Sequence, residues 1–225
     1  MVKRRGYTPK RRNTHRRQMK RVLLLSVEGN KRNKTEKAYF QHFNDGDMEV
    51  RFVSGNETDP EMMMRRLIDA YEEYDLGAGD YAACLVDADF FPRRNSQLKK
   101  SDSLAKKFRQ ENLKLIVSAP SFEIWFICHF KYSTSQYQNK EEVLKTLSQC
   151  IGKEYKKSDD LYPQLAGKEK TAVGNARRLE GMMKDSGKFY TRWIFLPAQR
   201  YTKSSRGSYC QNKDRYVMNY KCSCG

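Results

Sequence analysis

The chain has 225 residues, 38% hydrophobic and 32% charged, with a formal net charge of +17. A chain of this length buries a sizeable core without disulfide staples, and no apolar run approaches the about 20 residues of a membrane-spanning helix. The basic N-terminus lacks the apolar core of a secretory signal, so a cytoplasmic protein with no membrane partner is expected.

Residues 1–21 hold ten Lys or Arg and no acid, which is more than half of the net excess. With almost nothing to bury, residues 1–20 read as a disordered basic arm. Such an arm suits a polyanion, because each cation placed on a phosphate releases counterions. Arg11, Arg12, Arg16 and Arg17 are its candidate phosphate contacts, and a solubilising tail is the alternative.

"VLLLSVEG", residues 22–29, reads as a buried strand ending in a glycine turn. "TEKAYFQHF" has apolar residues close to helical spacing, with Thr35 as N-cap. "MEVRFVS" alternates as a second strand. "DPEMMMRRLIDAYEEY" opens with Asp59 as N-cap and Pro60 at the first helical position, and Gly77 and Gly79 are expected to stop it. "YAACLVDAD" is a third strand. A polar, Lys-rich stretch leads to a helix near 101–110, and "LKLIVS" is a fourth strand. "SFEIWFICHF" is an apolar helix after Pro120, followed by helical patterns in "EEVLKTLSQCI" and "EKTAVGNARRLEGMMKD". "TRWIFLP" fits one more strand.

Strands alternating with helices predict an α/β fold with a mostly parallel sheet covered on both faces. The domain boundaries expected are a basic arm at 1–20, an α/β core at 21–135, a helical extension completing the domain at 136–198, and a basic tail with Tyr and Cys at 199–225. Cys84, Cys128 and Cys150 lie among apolar residues and read as small hydrophobes. Cys210, Cys222 and Cys224 lack the paired spacing and nearby His of a zinc site. In the tail, tyrosines interleave with Lys and Arg, as in surfaces that stack on unpaired bases, or as in a loosely packed basic tail.

In an open α/β sheet, functional groups gather at the carboxyl ends of the strands. The first strand ends in Glu28-Gly29 and the third in Asp87 and Asp89. On a regular strand, two residues two apart face the same way. If the two strands are neighbours, three carboxylates meet at one edge. They would repel and take up protons unless a cation sat among them. Oxygen donors without nearby His or Cys favour Mg²⁺ or Mn²⁺. Such an ion stabilises charge at phosphorus or lowers the pKa of an attacking water. Glu28 would be a further ligand or a general acid/base, and Gly29 permits a sharp turn and close approach of a phosphate. A lone D-x-D is otherwise a turn or cap signal. Lys31, Arg32 and Lys34, in the following loop, are candidate nucleic-acid contacts. Glu36 either complements the helix dipole or joins the acids. Phe122, Trp125 and His129 share a helical face, on which the aromatics read as core. Glu123 and His129, costly to bury unless paired, are candidate catalytic groups, with a satisfied core histidine as the alternative for His129.

"VEGNKRNKTEKAYF", "LVDADF" and "SAPSFEIWFICHF", in this order, resemble the RloB-like family, over about residues 21–131 with the "NARRLE" helix also fitting. The loop "GNKRNKTE" is two residues longer than the family pattern, and the region after about Trp193 does not look like the family's C-terminal end. The resemblance implies a Toprim-like fold, the fold shared by topoisomerases, DnaG-type primases and OLD-family nucleases. It implies that Glu28 takes the strand-end glutamate role and that Asp87 and Asp89 take the Mg²⁺-binding role. It also implies nuclease activity on nucleic acid, with RNA or tRNA favoured over DNA, in anti-phage defence beside an ABC- or AAA-type ATPase. A non-catalytic basic nucleic-acid-binding subunit of such a complex is the alternative.

Overall fold

The structure, a computed structural model, describes residues 20–29, 35–88, 92–133, 137 and 139–185. In chain order the elements are β1 (Arg21–Val27), α1 (Thr35–Gln41), β2 (Met48–Phe52), α2 (Pro60–Glu73), β3 (Tyr81–Asp87), α3 (Pro92–Phe108), β4 (Leu113–Ser118), α4 (Glu123–Cys128), α5 (Lys140–Ile151), α6 (Tyr162–Leu165) and α7 (Glu169–Asp185). The four strands form one sheet in the order β2-β1-β3-β4, and every neighbouring pair is parallel. Helices cover both faces. This is the α/β arrangement expected, and it is consistent with a Toprim-like fold.

The pleat explains the two cores. Leu23, Leu25 and Val27 of β1 and Ala83 and Leu85 of β3 join an apolar cluster with α1, α4, α5 and α7. Leu24, Cys84 and Val86 point the other way, into a cluster with α2 and α3. Side chains alternate across a strand, so continuous apolar runs serve both layers. Val143 and Leu147 of α5 and Ala172, Val173 and Ala176 of α7 are buried in the first cluster. The helices after residue 136 therefore complete the cover of one sheet face. No described helix is long and apolar enough to cross a membrane.

The helix signals act where physical chemistry places them, with three differences. Asp59 caps α2, its Oδ1 accepting from the amides of Glu61 (3.0 Å) and Met62 (3.1 Å), with Pro60 opening the helix. The helix stops before Gly77 and Gly79, however. Asp75 takes the left-handed turn at φ 48°, a conformation that Asp tolerates, and this folds Leu76 into the second core. The third helix starts at Pro92 rather than near 101, again with proline at a helix start. Thr35 is the first residue of α1, and its Oγ1 lies 3.4 Å from the Tyr155 hydroxyl. The expected strand "TRWIFLP", the basic arm and the C-terminal tail lie outside the described residues.

Candidate functional site

Parallel strands deliver all their carboxyl ends to one edge. Because β1 and β3 are neighbours, with Val27 opposite Leu85, Glu28 and Asp87 arrive at that edge together. The pleat then separates them. One residue past Val27, alternation turns Glu28 toward the α2/α3 side, while Asp87 follows Leu85 toward α1, α4 and α5. Their partners agree with this separation.

Glu28 is paired with Arg94 of α3. The same guanidinium donates from Nε to the Asp87 carbonyl (3.1 Å) and from an Nη to the Thr58 carbonyl (2.7 Å). Arg94 is only 12% exposed. It thus ties together the chain leaving β1, the loop between β2 and α2, and the end of β3. Gly29, just beyond Glu28, has φ +56° and donates its amide to the Glu57 carbonyl (3.2 Å). A Cβ there would meet no atom within 4 Å. The left-handed backbone, not crowding, calls for glycine.

Asp87 faces a different company. Its carboxyl is pushed up to about 7, first by burial, then by the negative charge of Glu36, with Glu123 adding to it and Lys140 opposing it. Lys140 Nζ lies 3.2 Å from Asp87 Oδ2. Glu36 stands in the first turn of α1 and Glu123, buried, in the first turn of α4, which follows β4 through the cis Ala119–Pro120 peptide. Tyr155, buried against Thr35, also feels Glu123 and Glu36, which add to the burial that raises its hydroxyl pKa. Asp87, Glu36, Glu123 and Tyr155 therefore share one low-dielectric corner of the sheet edge.

The donor chemistry of this corner suits a hard divalent cation. Its acids offer only oxygen donors, and like charges crowd Asp87, a crowding that Lys140 relieves in part and that further positive charge would relieve more. Among the described residues, no three His, Cys, Asp or Glu side chains are arranged to hold a metal ion. Asp89 lies outside those residues, as do Lys31, Arg32, Lys34, Arg11, Arg12, Arg16 and Arg17.

His129 is not brought to this corner. Its Nδ1 donates to the Trp125 carbonyl (2.9 Å), and its ring packs edge-on against Trp125 and Tyr39. The charges it feels are those of Glu169 and Lys168, at the start of α7. Nδ1 carries the proton in this bond, so Nε2 is left as a buried acceptor without a partner among the described residues. Burial holds its pKa down at about 4. Phe122 and Trp125 are core residues, as their spacing predicts.

Two residues of the site had no motif to mark them. Arg94 lies just inside a proline-started helix and Lys140 just after a helix-capping Asn139. Recognising Pro92 as a helix start would have placed Arg94 beside the strand ends.

A family model described as RloB-like protein matches residues 23–203. The match runs past Trp193, further along the chain than the motif resemblance reaches. No curated protein and no solved structure matches the chain.

Two outcomes follow from this geometry. Replacing Arg94 by Met strips a largely buried carboxylate and two carbonyls of their donor. It should cost about 3–5 kcal/mol in urea unfolding, and adding Glu28→Gln should restore part of it. A loss below about 1 kcal/mol would show that Arg94 holds nothing. For His129, the folded pKa lies below the ordinary value of 6.5. Its contribution is therefore complete above pH 6.5 and is lost as pH falls toward 4. The parent should lose about 2–3 kcal/mol across that window relative to His129→Gln, and parallel pH profiles of stability would contradict the assignment.

Proposed function

This chain belongs to the RloB-like protein family, and from that premise we propose that it is a divalent-metal-dependent phosphodiesterase that cleaves nucleic acid. The observation that carries the reading is the Asp87 corner. A largely buried carboxyl at the carboxyl end of a parallel strand is pushed to about 7, with the negative charges of Glu36 and Glu123 adding to the effect of burial. A fold gathers like charges against their electrostatic cost where a cation or a proton transfer uses them.

In this reading Asp87 and Asp89 hold Mg²⁺ or Mn²⁺, with Glu28 the strand-end glutamate of the resemblance. The ion, when bound, supplies positive charge against which charge on a phosphate can build. The chain's own groups do the rest. Arg94 fixes Glu28 and the end of β3 relative to each other. Glu123, buried at the start of α4, is the acid or base of this reading. His129 is too far removed in its contacts to act at the same atoms, so its role here is in the core. Lys31, Arg32, Lys34 and the arm residues Arg11, Arg12, Arg16 and Arg17 take the phosphate backbone. RNA, and tRNA in particular, is the favoured substrate on family resemblance alone. Family resemblance likewise supports a cytoplasmic anti-phage effector working beside an ABC- or AAA-type ATPase.

One observation favours a second reading. Glu28 and Asp87 each already have a cation of the chain beside them, Arg94 and Lys140. A self-neutralised edge of this kind suits a basic nucleic-acid-binding subunit without chemistry of its own.

The two readings separate in one assay. Purified protein is incubated with total tRNA, single-stranded RNA or plasmid DNA in Mg²⁺, Mn²⁺ or EDTA, with and without any ABC- or AAA-type ATPase that proves to be encoded beside it. The double variant Asp87→Ala/Asp89→Ala runs in parallel. The phosphodiesterase reading expects cleavage that needs metal and falls at least roughly 100-fold in the variant, more than the loss of an outer-shell partner causes, with binding kept. Equal, salt-sensitive binding by both proteins without cleavage under any condition would favour the binding subunit.

A further inference from the structure

The two cations at the sheet edge are held in opposite ways. Arg94 is 12% exposed and spreads a rigid fork of donors over three chain segments. Lys140 is 37% exposed and reaches Asp87 on a flexible four-carbon stem. It is also the first residue of α5, directly after the cap Asn139, whose Oδ1 accepts from the Glu142 amide (2.9 Å). The start of a helix is its positive end, so the helix itself does not favour a cation there. The ammonium stands 3.2 Å from the Asp87 carboxylate, beside which Glu36 and Glu123 add negative charge.

We propose that Lys140 is a displaceable counter-ion: it neutralises Asp87 in the metal-free protein and competes with a divalent cation for that carboxylate. The inference rests on the metal-centre reading above and adds a residue to it that no motif marks. An ammonium 3.2 Å from Oδ2 takes one of the directions from which a cation would approach that oxygen. A second positive charge brought to the same carboxylate is repelled by the first. Exposure and a mobile stem let Lys140 withdraw into solvent, whereas Arg94 stays fixed. In this way the acid corner keeps its shape without metal, and metal affinity is set by the cost of moving one lysine aside.

Mn²⁺ binding without nucleic acid tests this, by titration calorimetry and by the loss of the free-ion paramagnetic resonance signal. The parent is compared with Lys140→Gln, Lys140→Met and Lys140→Arg. Both neutral variants should bind Mn²⁺ roughly three- to fivefold more tightly, the scale of one partly exposed ion pair. The Arg variant, which keeps the charge, should bind no more tightly than the parent. Mn²⁺ should also raise the melting temperature of the neutral variants more than that of the parent. Unchanged or weaker binding in both neutral variants overturns the exchange and leaves the metal centre standing. No binding by any of the four proteins overturns both.

Discussion

A single guanidinium fixes the working edge of this fold. Hydrogen bonding within a parallel sheet orders the strands but not the loops that leave them, and all four strands leave at the same edge. Arg94 reaches across that edge to the Glu28 carboxylate and to the carbonyls of Thr58 and Asp87. Each contact belongs to a different crossover, so one side chain sets the relative positions of three. Only arginine has the planar, multi-donor fork for this. Its side chain is only 12% exposed, which strengthens each bond and also makes its loss costly.

With the edge fixed, the other face of β3 carries a charge problem. Asp87, Glu36 and Glu123 come from three elements whose apolar faces pack into one cluster, so their ends cannot move apart without opening the core. Burial and repulsion push the Asp87 carboxyl to about 7, which costs stability above the ordinary carboxylate range. Lys140 offsets part of that cost from outside. Arg94 on the α2/α3 side and Lys140 on the side of α1, α4 and α5 thus pair with different acids of the same edge, the arginine largely buried and the lysine more exposed. His129 lies in the aromatic core under α4, where its low pKa keeps it neutral and apolar in effect.

Much of this was legible in the chain because it is written in short-range patterns. Three apolar runs and one alternating segment marked the four strands, Asp59-Pro60 marked the start of α2, and the acids at the ends of residues 22–29 and 81–89 marked the edge. Glu28 and Asp87 do reach one edge, as neighbouring strands require, but the side of the sheet that each faces was not legible. Register, not composition, decides which way a residue at a strand end faces, and Val27 opposite Leu85 sends them to different sides. Arg94 was hidden in a polar Lys-rich stretch without apolar periodicity, and Lys140 in a helix first turn. A cation's partner lies in tertiary space and leaves no local trace. Asp75 rather than a glycine turned the chain after α2, because burying Leu76 outweighed the preference for glycine at that angle.

A divalent cation bound at the Asp87 corner can be located by its own scattering. Crystals of the full chain grown with Mn²⁺ and measured at the manganese absorption edge should show an anomalous peak within coordination distance of a carboxylate oxygen of Asp87. Lys140 Nζ should be withdrawn from Oδ2 in the same crystals. An anomalous peak elsewhere, or no peak with the Lys140–Asp87 pair intact at saturating Mn²⁺, would mean that the Asp87 corner holds no cation.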